Sequence, residues 1–151
     1  MAFRGLFIGI DRYAAAEINW LSCASRDGTA LHALFTDTFG DQTALLTDEQ
    51  ATVAAIQQHI GQLDTVSPDD IVVIAFSGHG TETHELVGYD TDPDDLVGTA
   101  ISLAALGPVQ RNCDVLRLVS RRGCRSYSRL RHELALEHDI DVRQRRARKK
   151  R

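Results

Sequence analysis

Ile71-Val72-Val73-Ile74-Ala75-Phe76-Ser77-Gly78-His79-Gly80 is the stretch that decides how this chain reads. Its first four residues are β-branched and its first six are apolar, as expected of a strand buried on both faces. It then ends abruptly in Ser-Gly-His-Gly. Glycine on each side of His79 lets the backbone turn sharply and approach a ligand closely. The imidazole is thereby expected to project from the carboxyl end of the strand, where it can move a proton. The same four residues also fit a polar histidine in an ordinary strand-to-loop turn.

Working outward, Gly5-Leu6-Phe7-Ile8-Gly9-Ile10 is a second uninterrupted apolar run, leading into Asp11-Arg12-Tyr13. Residues 27–39 carry Leu31, Leu34 and Phe35 at helical spacing, and Gly40 supplies a stop. Thr43-Ala44-Leu45-Leu46 predicts a short strand. Thr47-Asp48-Glu49-Gln50 has the capping-box pattern, with Thr52 the alternative N-cap. Val53, Ile56, Ile60 and Leu63 then form a helical stripe. Leu86–Tyr89 suggests one more short strand. Alternating buried strands and helices imply a mostly parallel α/β sheet with helices on both faces. Chemistry in such sheets sits at the carboxyl ends of the strands.

The 151 residues amount to about one domain, with 43% hydrophobic and 25% charged residues, ordinary for a globular chain. No apolar run approaches the roughly 18 residues of a membrane helix, and the first residues make a poor secretory signal. Three cysteines without paired spacing argue against a disulfide scaffold and for a reducing, cytoplasmic compartment. The net charge of −4 hides a split. Residues 1–106 hold three basic and 16 acidic residues, whereas residues 107–151 hold 14 basic and five acidic ones. Two segments with different histories or partners are implied.

The region resembles the caspase-like cysteine peptidases, and within them the metacaspases and their bacterial relatives. The matching pieces are Leu6–Ile10, Leu21 to Asp27, Leu45-Leu46-Thr47-Asp48, Ala51-Thr52, Phe76–Thr81, Tyr89-Asp90 and Ile101-Ser102-Leu103, in the family's order over about residues 4–106. The resemblance implies a caspase-like, mostly parallel sheet flanked by helices, incomplete on its C-terminal side. It implies a cysteine endopeptidase acting on peptide or protein substrates. His79 would be the general base and the Gly80 N–H an oxyanion donor. Asp27 and Ser77 would line the pocket for the residue before the cut, where a carboxylate favours Arg or Lys. Asp27 is equally readable as a helix-start residue facing the dipole. No arginines match the pocket that caspases use for Asp, so Asp specificity is not expected.

The nucleophile is the weak point. Caspases place their cysteine about 50 residues after the histidine. Cys23 precedes His79 and reads as packing, and Cys113 lies before the expected Val115–Val119 strand. Cys124 follows that strand, 45 residues after His79. Its surroundings, Gly123-Cys124-Arg125-Ser126, depart from the family pattern, and the preceding Asp of metacaspases is absent. Cys124 therefore reads either as the thiolate or as an unengaged cysteine in a basic loop. The alternative to an enzyme is a non-catalytic caspase-like remnant acting as an interaction domain, and the chain as written is expected to show little or no activity.

The boundary is drawn at residue 106. Residues 107–151 form a divergent basic segment, with a thin helix expected over Ser128–Glu137 and disorder after about residue 140. A reading-frame change after about residue 106 would explain the shift in composition. The tail Arg143–Arg151 could attract nucleic acid or an anionic surface, but a solvated end is the simpler reading. Asp90–Asp95 resembles half a calcium loop yet fails the EF-hand template, having Asp95 at position six and Ile101 at twelve. Calcium is the one cofactor it could take, by analogy with some metacaspases. No His/Cys spacing fits zinc, so no metal site is expected.

Overall fold

The computed structural model describes residues 2–40, 42–63, 66–67, 69–81, 84–106 and 114–120, with residues 105, 106 and 114–120 described by backbone alone. Its elements are β1 (Phe3–Gly9), α1 (Ala24–Phe39), β2 (Thr43–Thr47), α2 (Val53–Leu63), β3 (Ile71–Ser77), β4 (Glu85–Leu86), α3 (Leu96–Thr99), β5 (Ile101–Ser102) and β6 (Asp114–Ser120). Four strands make a parallel sheet in the order β2-β1-β3-β6. β4 and β5 pair antiparallel beside it.

The two apolar runs become the central strands because both faces of the sheet are covered. In β1 the side chains alternate. Phe7 packs with Val73, Ala75, Leu31, Phe35 and Leu45 on the α1 side. Leu6, Ile8 and Ile10 pack with Ile56, Ile60, Leu63, Val72, Ile74 and Phe76 on the α2 side. Register fixes the result: Gly9 pairs with Thr47 on one side and Ser77 on the other, so β1, β2 and β3 end level. Their carboxyl ends form one edge, from which the loops carrying Tyr13, Asp48 and His79 leave.

The helix ends differ from local expectation for physical reasons. α1 begins at Ala24, three residues before the expected start, because its cap is remote. Asp11 accepts hydrogen bonds from the Ala24 N–H (2.8 Å) and the Ser25 N–H (3.1 Å). Leu34, expected on the buried face, is 60% exposed. Gly40 ends the helix at φ 98°, donating to the Thr36 carbonyl, a conformation that favours glycine. Between the two capping candidates, Thr52 is the one used. Its Oγ1 accepts from the Ala55 N–H (3.2 Å), while Asp48–Gln50 forms a short 3-10 turn. The strand expected over Leu86–Tyr89 is confined to Glu85–Leu86. The Val115–Val119 strand is present within β6, beside β3. The Ser128–Glu137 helix, the disorder expected after about residue 140 and the basic tail lie outside the described residues. No described helix is long and apolar enough to cross a membrane.

Candidate functional site

His79 sits one residue beyond the turn that ends β3. Gly78 is buried against the ring of Phe76 and the Tyr13 hydroxyl. A Cβ there would meet them at 2.9 and 3.1 Å, so a larger residue would displace both side chains. His79 is then held from three sides. Its N–H donates to the Tyr13 hydroxyl (2.9 Å). Its carbonyl accepts from the Val87 N–H (3.0 Å). Its ring lies 5.2 Å from the Tyr13 ring, tilted by 44°.

The fourth contact sets the chemistry. His79 Nε2 lies 2.7 Å from the Asn19 carbonyl oxygen. A carbonyl can only accept, so Nε2 carries the proton. In the neutral ring Nδ1 is then the acceptor nitrogen. A backbone oxygen thus orients the imidazole and fixes which nitrogen can take a proton.

The loop carrying Asn19 and Tyr13 is itself tied down. The Ile10 N–H donates to the Ser77 carbonyl (2.9 Å), and the Leu21 N–H to the Asp11 carbonyl (2.8 Å). Asp48 Oδ1 accepts from the Asp11 and Arg12 N–H groups (2.8 and 3.0 Å). Asp48 holds a positive φ of 44°, a region that Asp visits more readily than most residues. Arg12 stacks over Trp20, 4.3 Å from the ring centroid, and Trp20 is 64% exposed at the mouth of this loop.

Burial pushes the Tyr13 phenol up to about 12 from 10.0; the His79 N–H bond pulls it down, and Asp11 and Asp48 push it further up. A phenol with a raised folded value contributes its stabilisation in full below pH 10 and loses it as pH rises toward 12. The phenolate absorbance of the native protein, minus that of Tyr13→Phe, is expected to titrate near pH 12. A midpoint near 10 would mean that the hydroxyl is not held as described.

Of the residues singled out from sequence, Ser77, His79 and Gly80 come together at the end of β3. Ser77 closes the strand, and Gly80 bridges to Leu86. Asp27 lies in the first turn of α1, half-buried. Burial raises its carboxyl above the ordinary range, Arg26 lowers it, and Asp11 raises it. Cys124 lies outside the described residues. Cys23, read from sequence as a packing residue, is buried and is also disulfide-bonded. The Asp90–Asp95 carboxylates cap backbone instead. Asp90 accepts from the Val53 N–H (2.7 Å), Asp92 from the Asp94 N–H (2.9 Å) and Asp95 from the Gly98 N–H (3.0 Å). Among the described residues no group of three or more His, Cys, Asp or Glu side chains could hold a metal ion.

Sequence reasoning marked Asp11 and Tyr13 only as part of a reactive-looking strand end, and it passed over Asn19. Nothing in an asparagine's identity marks its carbonyl.

The family model of the caspase domain matches residues 4–111. This chain belongs to the caspase-domain family. Solved structures agree on the fold. A protein from Geobacter sulfurreducens superposes with a TM-score of 0.64 at 17% identity, covering 82% of this chain and 51% of that one. Pro-sf-caspase-1 superposes at 0.60 with 14% identity, covering 83% and 48%. The caspase domain described here therefore spans about half the length of these two structures. Among curated proteins, none matches the chain.

Proposed function

We propose that this caspase domain is part of a cysteine endopeptidase of the bacterial metacaspase type, cutting peptides after Arg or Lys in the cytoplasm. The observation that carries the proposal is the 2.7 Å contact from His79 Nε2 to the Asn19 carbonyl, which leaves Nδ1 as the base. In the proposed mechanism Nδ1 takes the Cys124 thiol proton as the sulfur attacks the peptide carbonyl. The tetrahedral oxyanion is bound by the Gly80 N–H and the N–H of the cysteine. Collapse of that intermediate releases the amine, which takes the proton from His79, and water then hydrolyses the thioester by the reverse roles. The cytoplasmic placement rests on the odd cysteine count, and the Cys23 disulfide weighs against it.

Asp27 is the proposed specificity carboxylate. It is partly desolvated and lies near a second negative charge, Asp11. A substrate cation would relieve both penalties. Asp27→Ala is expected to lower kcat/KM for Arg and Lys peptides by about 10–100-fold, in line with losing one partly buried charge pair, and to leave unfolding unchanged. Equal loss on neutral and basic peptides would remove Asp27 from the specificity pocket.

A second reading, a non-catalytic caspase-like remnant serving as an interaction domain, is favoured by the residues flanking Cys124. On that reading residues 107–151 are a divergent or frameshifted extension. Incubation with Arg, Lys and Asp reporter peptides separates the two. Turnover of Arg or Lys peptides that disappears in Cys124→Ala supports the peptidase, and no turnover of any peptide supports the remnant.

A further inference from the structure

We propose that the end of the sheet opposite His79 holds a binding site for a small oxyanion, a phosphate- or carboxylate-bearing metabolite, centred on Arg4. The starting point is a residue out of place. On the α2 side of β1 the alternating row reads Arg4, Leu6, Ile8, Ile10, and the last three belong to the apolar core. Arg4 extends that row past Leu63, where a cavity of about 300 Å³ opens between the starts of β1 and β2 and the end of α2. Arg4, Gln42, Thr43, His59 and Leu63 line it.

Arg4 Nε is buried and has no hydrogen-bond partner. Among the described residues the Arg4 side chain makes neither a hydrogen bond nor an ion pair, and neither does the His59 ring. Asp70 is near enough to feel the charge of Arg4, but its oxygens are occupied by the Ala2 N–H (2.7 Å) and the Ser67 N–H (3.1 Å). A buried, unsatisfied N–H is costly and calls for an explanation. The scarcity of cations sharpens the point. Residues 1–106 contain three basic residues. Arg12 is stacked on Trp20 and Arg26 contacts the Cys23 sulfur, whereas Arg4 lines a cavity with its buried Nε unpaired.

The chemistry follows from the donors. A guanidinium presents a planar fork that matches carboxylate and phosphate oxygens in pairs. His59 adds a ring nitrogen and Gln42 an amide. The volume is at the small end of ligand cavities, which suits a metabolite rather than a peptide. Arg4 is five residues before the end of β1. At about 3.3 Å per residue that is about 16 Å from the carboxyl edge, so the site is separate from His79.

The test measures binding to the full chain by calorimetry and thermal shift, with inorganic phosphate, citrate and AMP as probes. Adenosine and sodium chloride of equal ionic strength are the controls. At least one oxyanion is expected to bind saturably and raise the melting temperature. Phosphate or AMP would mark the phosphate source, and citrate the carboxylate source. Arg4→Met is expected to weaken binding at least about tenfold, having removed a bidentate contact. His59→Phe is expected to weaken it at least about threefold, for a single neutral donor. Arg12→Met, at the far end of β1, should leave it unchanged. If Arg4→Met does not fold, Arg4→Lys keeps the charge without the fork and is expected to weaken binding measurably. No saturable binding by any of the three probes overturns the proposal, as does binding that Arg4→Met and Arg4→Lys leave intact.

Discussion

His79→Ala is expected to lower cleavage of Arg and Lys peptides by about 10²–10⁴-fold, the usual contribution of a positioned general base. Cys124→Ala should do the same, and the double variant should lose no more than either one alone, because a nucleophile and its base act as a unit. The baseline is expected to be low, given the departures around Gly123-Cys124-Arg125-Ser126. A sensitive readout is therefore alkylation of Cys124 by iodoacetamide. On the proposed mechanism Nδ1 of His79 would raise the thiolate fraction, and the reaction at neutral pH is expected to be faster than in His79→Ala. Cleavage that survives His79→Ala, or alkylation at the same rate in both proteins, removes His79 from the role of base. The geometry also names a positioning residue. Tyr13→Phe keeps the ring against His79 but removes the oxygen that accepts the His79 N–H.

The sheet was legible in the sequence because its strands are buried on both faces. Ile71–Phe76 and Leu6–Ile10 have no polar residue to confuse the period, and their strands are parallel neighbours, with Leu6, Phe7 and Ile8 opposite Ile74, Ala75 and Phe76. The α2 stripe was legible for the same reason: Ile56, Ile60 and Leu63 all reach the core. What escaped was whatever depends on contact across the chain. The start of α1 could not be read locally, because Cys23 makes no side-chain cap and the capping carboxylate is Asp11, 13 residues away. Leu34 has helical spacing, but α1 covers the sheet with a narrower face than its apolar content suggests, and that residue is left outward.

The site divides along the same line. His79 was legible because two glycines after a buried strand are a local signal. The partner that decides its tautomer was not, because Asn19 contributes a main-chain oxygen that any residue would carry. Asp48 illustrates a middle case. It was read as part of a helix start, yet its side chain holds the Asp11 and Arg12 amides from a left-handed backbone position. That makes it a support for the loop bearing Tyr13 and Asn19, a role that only the parallel register of β1 and β2 creates.

Gly9→Ala is expected to destabilise the fold by about 3 kcal/mol or more, at or beyond the upper end of ordinary overpacking. Gly9 ends β1 directly under the first turn of α1. A Cβ there would lie 2.3 Å from the Ala24 carbonyl oxygen and 2.8 Å from Ser25 Cα, both backbone atoms. Neither can move without lifting the helix. Lifting it breaks the Asp11 bonds to the Ala24 and Ser25 amides, at about 1 kcal/mol for such a cap. Gly28 faces the same contact from the helix side, where its own Cβ would come within 3.1 Å of the Gly9 nitrogen, so no rotation of α1 relieves the clash. Gly61→Ala is the control. It sits in α2 with nothing within 4 Å of an added Cβ and no positive φ, so alanine there is expected to stabilise by about 0.5–1 kcal/mol. Urea unfolding of the two variants should move the midpoints in opposite directions. A Gly9→Ala protein as stable as the parent would mean that α1 does not sit on the end of β1, and the placement of Asp11, Asp27 and the loop that orients His79 would fall with it.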